Sequence, residues 1–272
     1  MLWGCFGGWV FSQLGIPLAW MIGAMIFTAG AAITGVRLQG PGKGRAVMIT
    51  VLGVMLGSAF TPDIANHLSS WLLSIAVLLV FVVLVTCLLA WGFQRFAGMP
   101  RREAILSATP GGFGEMVLIA EAYGADVRSI SLIHATRVMF TVMLIPIYFR
   151  VFEGYTPPAV SPMGSVGDLG LMDGAILVTC AIVGYAGARA IKVPAAAILG
   201  PMVVSACVHF FGFTKAQPPG ELVNLAQIVI GTTVGCRFVG VSHRQLINPV
   251  GIGIIGAAIT LGMALGAASA LH

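Results

Sequence analysis

GGWVFSQLGIPLAWMIGAMIFTAGAAITG at residues 7–35 and GYAGARAIKVPAAAILGPMVVSACVHFFG at residues 184–212 are the two stretches on which the fold turns. Aligned at one fixed offset, they pair Gly7 with Gly184, Pro17 with Pro194, Ala19 with Ala196, Gly23 with Gly200, Met25 with Met202, Ala29 with Ala206 and Gly35 with Gly212. One residue further on, the match resumes as Pro41-Gly42 with Pro219-Gly220, Gly53 with Gly231, Gly57 with Gly235 and Phe60 with Phe238. Gly and Pro are the residues most tied to backbone shape, so their alignment across three successive apolar segments marks a duplicated chain.

The surrounding composition says where such segments live. Of 272 residues, 58% are hydrophobic and only 8% charged, against roughly 25% charged in a soluble domain. Mean hydropathy is +1.00, and Trp71 to Trp91 carry no charge at all. Stretches of about 20 apolar residues span a bilayer as helix, so a polytopic membrane protein is expected and a soluble one excluded. Spans are predicted near 2–14, 17–35, 46–60, 70–94, 127–149, 172–190, 194–211, 221–238 and 248–271. The Pro- and Gly-rich loop 151–171 separates a first repeat, 1–150, from a second, shorter one, 172–272. The N-terminus has neither a basic region nor a cleavage-site pattern, so it reads as a helix already in progress.

Basic loops decide the relative orientation of the copies. In the first, Arg37, Lys43 and Arg45 follow the second helix, and Arg95, Arg101 and Arg102 follow the fourth. In the second, Arg189 and Lys192 follow the first helix, and Arg237 and Arg244 the third. If all face the cytoplasm, the copies are inverted, a plan many secondary transporters share. Inversion needs an odd number of crossings per copy. Residues 103–125, half apolar and interrupted by Pro110, Gly111, Gly112 and Gly114, must then enter and leave on one side as a broken or re-entrant segment. The expected fold is all-α, with two inverted repeats. Glu153, Asp168 and Asp173 would lie outside, and the N-terminus and residues 109–116 on the cytoplasmic side.

The stretch ATPGGFGEMVLIAEAYGADVRSISLIHATRV, residues 108–138, resembles the AbrB family of bacterial membrane proteins, whose duplicated domain carries a Pro-Gly-Gly and Glu-Met signature followed by Gly-Ala-Asp. Here these are Pro110, Gly111, Gly112, Glu115 and Met116, then Gly124, Ala125 and Asp126. The likeness extends over essentially the whole chain, including the Ile16-Pro17 and Val193-Pro194 helix starts. It implies a multi-pass protein of the bacterial inner membrane, in a family whose members are labelled transporters, regulators or ammonia monooxygenases. One departure is that the sequence stops at His272, before a second Pro-Gly-Gly signature, as a short member or a fragment would.

Ionisable groups expected at membrane depth are Glu115, Glu121, His134 and Arg137. Such residues pair or line a hydrated path, because a charge at mid-bilayer costs about 2.5–3.5 kcal/mol. Two readings stand side by side: Arg137 neutralises Glu115 or Glu121 to fix packing, or the cluster binds an anionic solute or relays a proton. A short helix starting near Glu115 would expose free N–H groups, although the Glu115 carboxylate can satisfy them itself. With the hydroxyl of Thr109, the candidate solute site is Thr109, Pro110, Gly111, Gly112, Gly114, Glu115, Glu121, His134 and Arg137.

Other patterns carry less. Cys5, Cys87, Cys180, Cys207 and Cys236 stand singly in apolar sequence, as buried small residues do. GVMLGSAF and GTTVGCRF lack the Gly-Lys-Ser of a phosphate loop and read as close helix packing, and Pro17 and Pro194 as first helical residues. No cofactor, no metal site and no nucleic-acid partner is expected. The partners are the bilayer and a small solute, with a homo-oligomer left open. A secondary transporter accounts for all these features, whereas a monooxygenase would need several gathered metal ligands. A membrane-bound regulator is the remaining alternative.

Overall fold

The computed structural model describes residues 1–42, 44–62, 68–111, 113–154 and 164–271, all helix, short 3-10 turns or connecting loop. The helices are α1 (Leu2–Gln13), α2 (Ala19–Ile33), α3 (Gly44–Ser58), α4 (Leu68–Ala97), α5 (Arg101–Ala108), α6 (Phe113–Ala122), α7 (Val127–Phe152), α8 (Leu171–Ala190), α9 (Ala196–Phe210), α10 (Gly220–Gly235) and α11 (His243–Leu271). A helix stands at each anticipated span, and the interrupted segment is two short helices, α5 and α6. Four helical stretches, Ser74–Ala97, Val127–Phe152, Leu171–Ala190 and Arg244–Ser269, are long and apolar enough to cross a membrane. Three others, α2, α3 and α9, have 15 residues each. At about 1.5 Å rise per residue they reach about 22 Å, short of the ~30 Å hydrocarbon core.

The chain forms two compact units, each drawing on both halves of the sequence. One comprises Met1–Thr28, Leu38–Ser70 and Thr156–Cys236; the other comprises Ala29–Arg37, Trp71–Tyr155 and Arg237–His272. In the first unit the paired glycines explain the assembly. A Cβ on Gly184 would stand 2.5 Å from the Pro201 amide nitrogen, so α8 and α9 meet backbone to backbone. Gly7 and Gly23 do the same for α1 and α2. The copies also reciprocate. A Cβ on Gly53 of α3 would lie 2.6 Å from Ile198 O of α9, and one on Gly231 of α10 would lie 2.5 Å from Met21 O of α2. Gly53 matches Gly231 and Ile198 matches Met21 in the sequence alignment, so matched residues make exchanged contacts.

The turns repeat as well. Gly15 and Lys192 (φ 60 and 55), Leu18 and Ala195 (φ 54 and 52), and Gly35 and Gly212 (φ 90 and 74) take left-handed conformations at matching positions. Pro17 and Pro194 lie in these turns, before α2 and α9 begin, and are not the first helical residues. A left-handed non-Gly residue costs about 1 kcal/mol or more, yet the second copy places Lys192 and Ala195 where such geometry recurs. In the loop before α8, the Ser165 hydroxyl and amide bind the Asp168 carboxylate at 2.8 and 3.0 Å and hold it below its usual pKa.

The second unit carries the longest apolar helices. Leu79, Val80, Val83 and Leu84 of α4 are exposed, whereas Val85, Leu89 and Phe93 on its other face pack with Ala104, Ala108 and Ile133. An outward surface so apolar suits lipid. Gly253 of α11 admits Thr136 of α7, whose Cβ would be 2.7 Å from an added methyl.

Glycines at crossings and glycines on open faces should respond oppositely. Gly200→Ala must push α8 and α9 apart and should lose about 1–3 kcal/mol, read as a lower melting temperature in detergent. Gly187→Ala, with nothing within 4 Å, should be neutral or gain up to ~1 kcal/mol. Equal responses at both sites would remove the crossing from the argument.

Candidate functional site

Pro110 determines the geometry around it. In a continuing helix the Leu106 carbonyl would accept from the amide of residue 110, and proline has none. The last bond of α5 runs from Thr109 N to Ile105 O at 3.0 Å; Thr109 then turns extended, with ψ 126. The carbonyls of Leu106, Ser107 and Ala108 are thereby left without helical donors. Two side chains of α7, one turn apart, supply them. His134 Nε2 lies 2.9 Å from Leu106 O; since a carbonyl only accepts, that nitrogen carries the proton. Arg137 Nη1 donates to both Ser107 O and Ala108 O, the latter at 3.0 Å. A cation at the C-terminal end of α5 also faces the negative end of its dipole.

The two short helices form a hairpin whose open ends are tied together. Arg102 Nη1 reaches Tyr123 O at 3.5 Å, and Asp126 N donates to Glu103 Oε1 at 3.4 Å. With 8 and 10 residues, its arms are about 12 and 15 Å long. The Gly-Ala-Asp signature makes the joint to α7. Gly124, at φ 63, donates to Glu121 O at 3.1 Å, and Ala125 N donates to Ala120 O at 2.9 Å, a Schellman end. The Asp126 carboxylate then accepts from Arg128 N and Ser129 N at 3.0 and 3.2 Å, capping α7.

The predicted site residues therefore divide. His134, 6% exposed, and the half-buried Arg137 converge on the carbonyls just before Thr109 and Pro110. The Thr109 hydroxyl donates to Ile105 O at 2.8 Å, within its own helix. Pro110 and Gly111 are exposed, and Met116 packs where a Gly111 side chain would go. Neither Gly111 nor Gly114 has positive φ; Gly114 lies in the first turn of α6, which begins at Phe113. Glu121 is exposed in the last turn of α6, and among the described residues no ion pair joins it to Arg137. The expected pairing with Glu121 is corrected: backbone carbonyls take the guanidinium. Gly112 and the side chain of Glu115 lie outside the described residues. Sequence reasoning missed the three carbonyl acceptors, although the four-residue step from Leu106 to Pro110 marks the first. Among the described residues, Ser107 Oγ and Thr136 Oγ1, both fully buried, have no hydrogen-bond partner.

These features define an all-helical protein of membrane type with a broken hairpin held by a basic helix. The chain belongs to the family described as "Transition state regulatory protein AbrB", which it matches over residues 20–272. It is 26% identical over 235 residues to a protein of Escherichia coli (strain K12) named "Putative regulator AbrB", covering 84% of this chain and 66% of that protein. A Bacillus subtilis (strain 168) protein named "Uncharacterized protein YhjN" is 26% identical over 279 residues, covering 92% and 73%. The chain thus spans about two thirds of the first relative's length. No solved structure matches it.

Loss of the capping donors should free the hairpin. Arg137→Met leaves two buried carbonyls unpaired, at about 1–3 kcal/mol each, and should speed proteolytic cleavage near 109–111 while leaving cleavage near 38–42 unchanged. Unaltered cleavage at the hairpin would mean that the guanidinium does not hold it.

Proposed function

We propose that this chain is a secondary transporter of a small solute in the bacterial inner membrane, with the hairpin tip as its solute site. The observation that carries this reading is the half-length hairpin whose freed carbonyls are capped by two basic side chains of a span-length helix. Broken helices with exposed backbone at membrane depth persist where they line a cavity, and transporters place solute sites at such breaks. The partly exposed Arg137 favours an organic anion, and Glu115, at the start of α6, serves as proton or cation acceptor.

The proposed architecture is two inverted repeats, 1–150 and 172–272, joined by 151–171, with α5 and α6 re-entrant. The exchanged glycine contacts and the swapped parity of the basic loops support it. Cysteines introduced one at a time at Gly42, Pro100 and Ser161 should react from one side of the membrane for the first two and from the other for the third. Any other pattern rejects inversion.

Transport is tested in proteoliposomes screened with organic anions and neutral metabolites. Gly111→Ala with Gly112→Ala should leave membrane levels near normal and abolish flux or ligand binding. Normal flux would make the break a structural kink; failure to accumulate would give it a folding role. The regulator reading, favoured by the printed names of the family and of one relative, predicts no flux with any solute. A monooxygenase predicts metal in the purified protein; His134 would contribute to a centre only through Nδ1, its Nε2 being bound to Leu106 O.

A further inference from the structure

The carbonyls capped by Arg137 have the form of a cation site. Ser107 O and Ala108 O both lie within hydrogen-bond distance of a single atom, Arg137 Nη1. They are not merely near a charge: they converge on one point. Consecutive carbonyls at the C-terminal end of a broken membrane helix are the donors that hold sodium in transporters of this general construction, and carbonyl oxygens likewise replace the hydration shell of potassium.

We infer that Arg137 is a resident cation occupying a monovalent-metal position formed by Ser107 O and Ala108 O, so that no sodium or potassium ion is needed at this break. This deepens the transporter reading by excluding an alkali cation as coupling ion at this position. It does not depend on which solute is carried.

Two features favour the cation position over ordinary helix capping, in which one donor shared between successive carbonyls is itself common. The third freed carbonyl, Leu106 O, is met separately by His134, so the two groups divide three acceptors without sharing. Arg137 also sits centrally on α7, and a charge at depth persists where it has strong partners.

The experiment measures thermal stability of purified protein in detergent, without solute, in sodium chloride, potassium chloride or choline chloride at equal ionic strength. Wild type should melt at the same temperature in all three. Arg137→Ala, which opens the position, should melt lower in choline and rise by about 5 °C in saturating sodium or potassium chloride. Arg137→Leu, which fills the space with methyl groups, and Arg137→Lys, which keeps a cation, should not respond. A wild type stabilised specifically by sodium or potassium overturns the inference, as does an Arg137→Ala protein indifferent to the cation. Cells supply both ions, so an Arg137→Ala protein that never accumulates also counts against it. Absence of flux in proteoliposomes, by contrast, bears only on the transporter reading.

Discussion

The capping of Leu106, Ser107 and Ala108 by His134 and Arg137 is the interaction on which the second unit depends. A proline placed four residues after a carbonyl leaves that acceptor without its helical donor. In a bilayer an unmet backbone group costs several kcal/mol. Only side chains from another helix can meet it, which makes the position of α7 a consequence of Pro110. The joint at Gly124 to Asp126 returns the chain from the hairpin to the helix that must cap it. Hairpin, joint and capping helix are consecutive in sequence because each answers a demand made by the one before.

The duplication works through a different economy of contact. In the first unit the helices approach until one backbone touches the next, which glycine alone permits, and few polar side chains are involved. Ser205 Oγ donating to Val54 O at 2.9 Å is one; the residues matching them in the other copy are Thr28 and Thr232, whose buried hydroxyls have no partner among the described residues. The two copies have kept their backbone contacts while letting side-chain pairing diverge. A methyl at a crossing glycine has to move two backbones apart, whereas a hydroxyl can be left unpaired with the backbone unmoved, at about 1–3 kcal/mol.

This difference explains what the sequence could and could not disclose. The helices and the break at Pro110 were legible because apolar runs and the breakers between them report backbone shape directly. The lengths of α2 and α9 were not, since apolar composition continues into the turns at Leu18, Gly35 and Ala195. The carbonyl partners of Arg137 and His134 were missed for a similar reason. Charged residues invite a search for opposite charges such as Glu121, and three carbonyls carry no letter in the sequence. Only the absence of an amide at Pro110 hints at them. The reading of Pro17 and Pro194 as first helical residues failed because the left-handed residues after them displace the helix starts.

The distribution of ionisable residues follows from these two modes of construction. Crossings made by glycine leave no backbone group unmet, so the apolar helices of the first unit need few buried cations. The hairpin leaves three carbonyls unmet at one place, and basic side chains accumulate there. His134 and Arg137 are therefore not a charge cluster that happens to lie beside a break. They are required by it: helix α7 could be apolar throughout only if α5 continued through residue 110, and the Pro-Gly-Gly sequence prevents that.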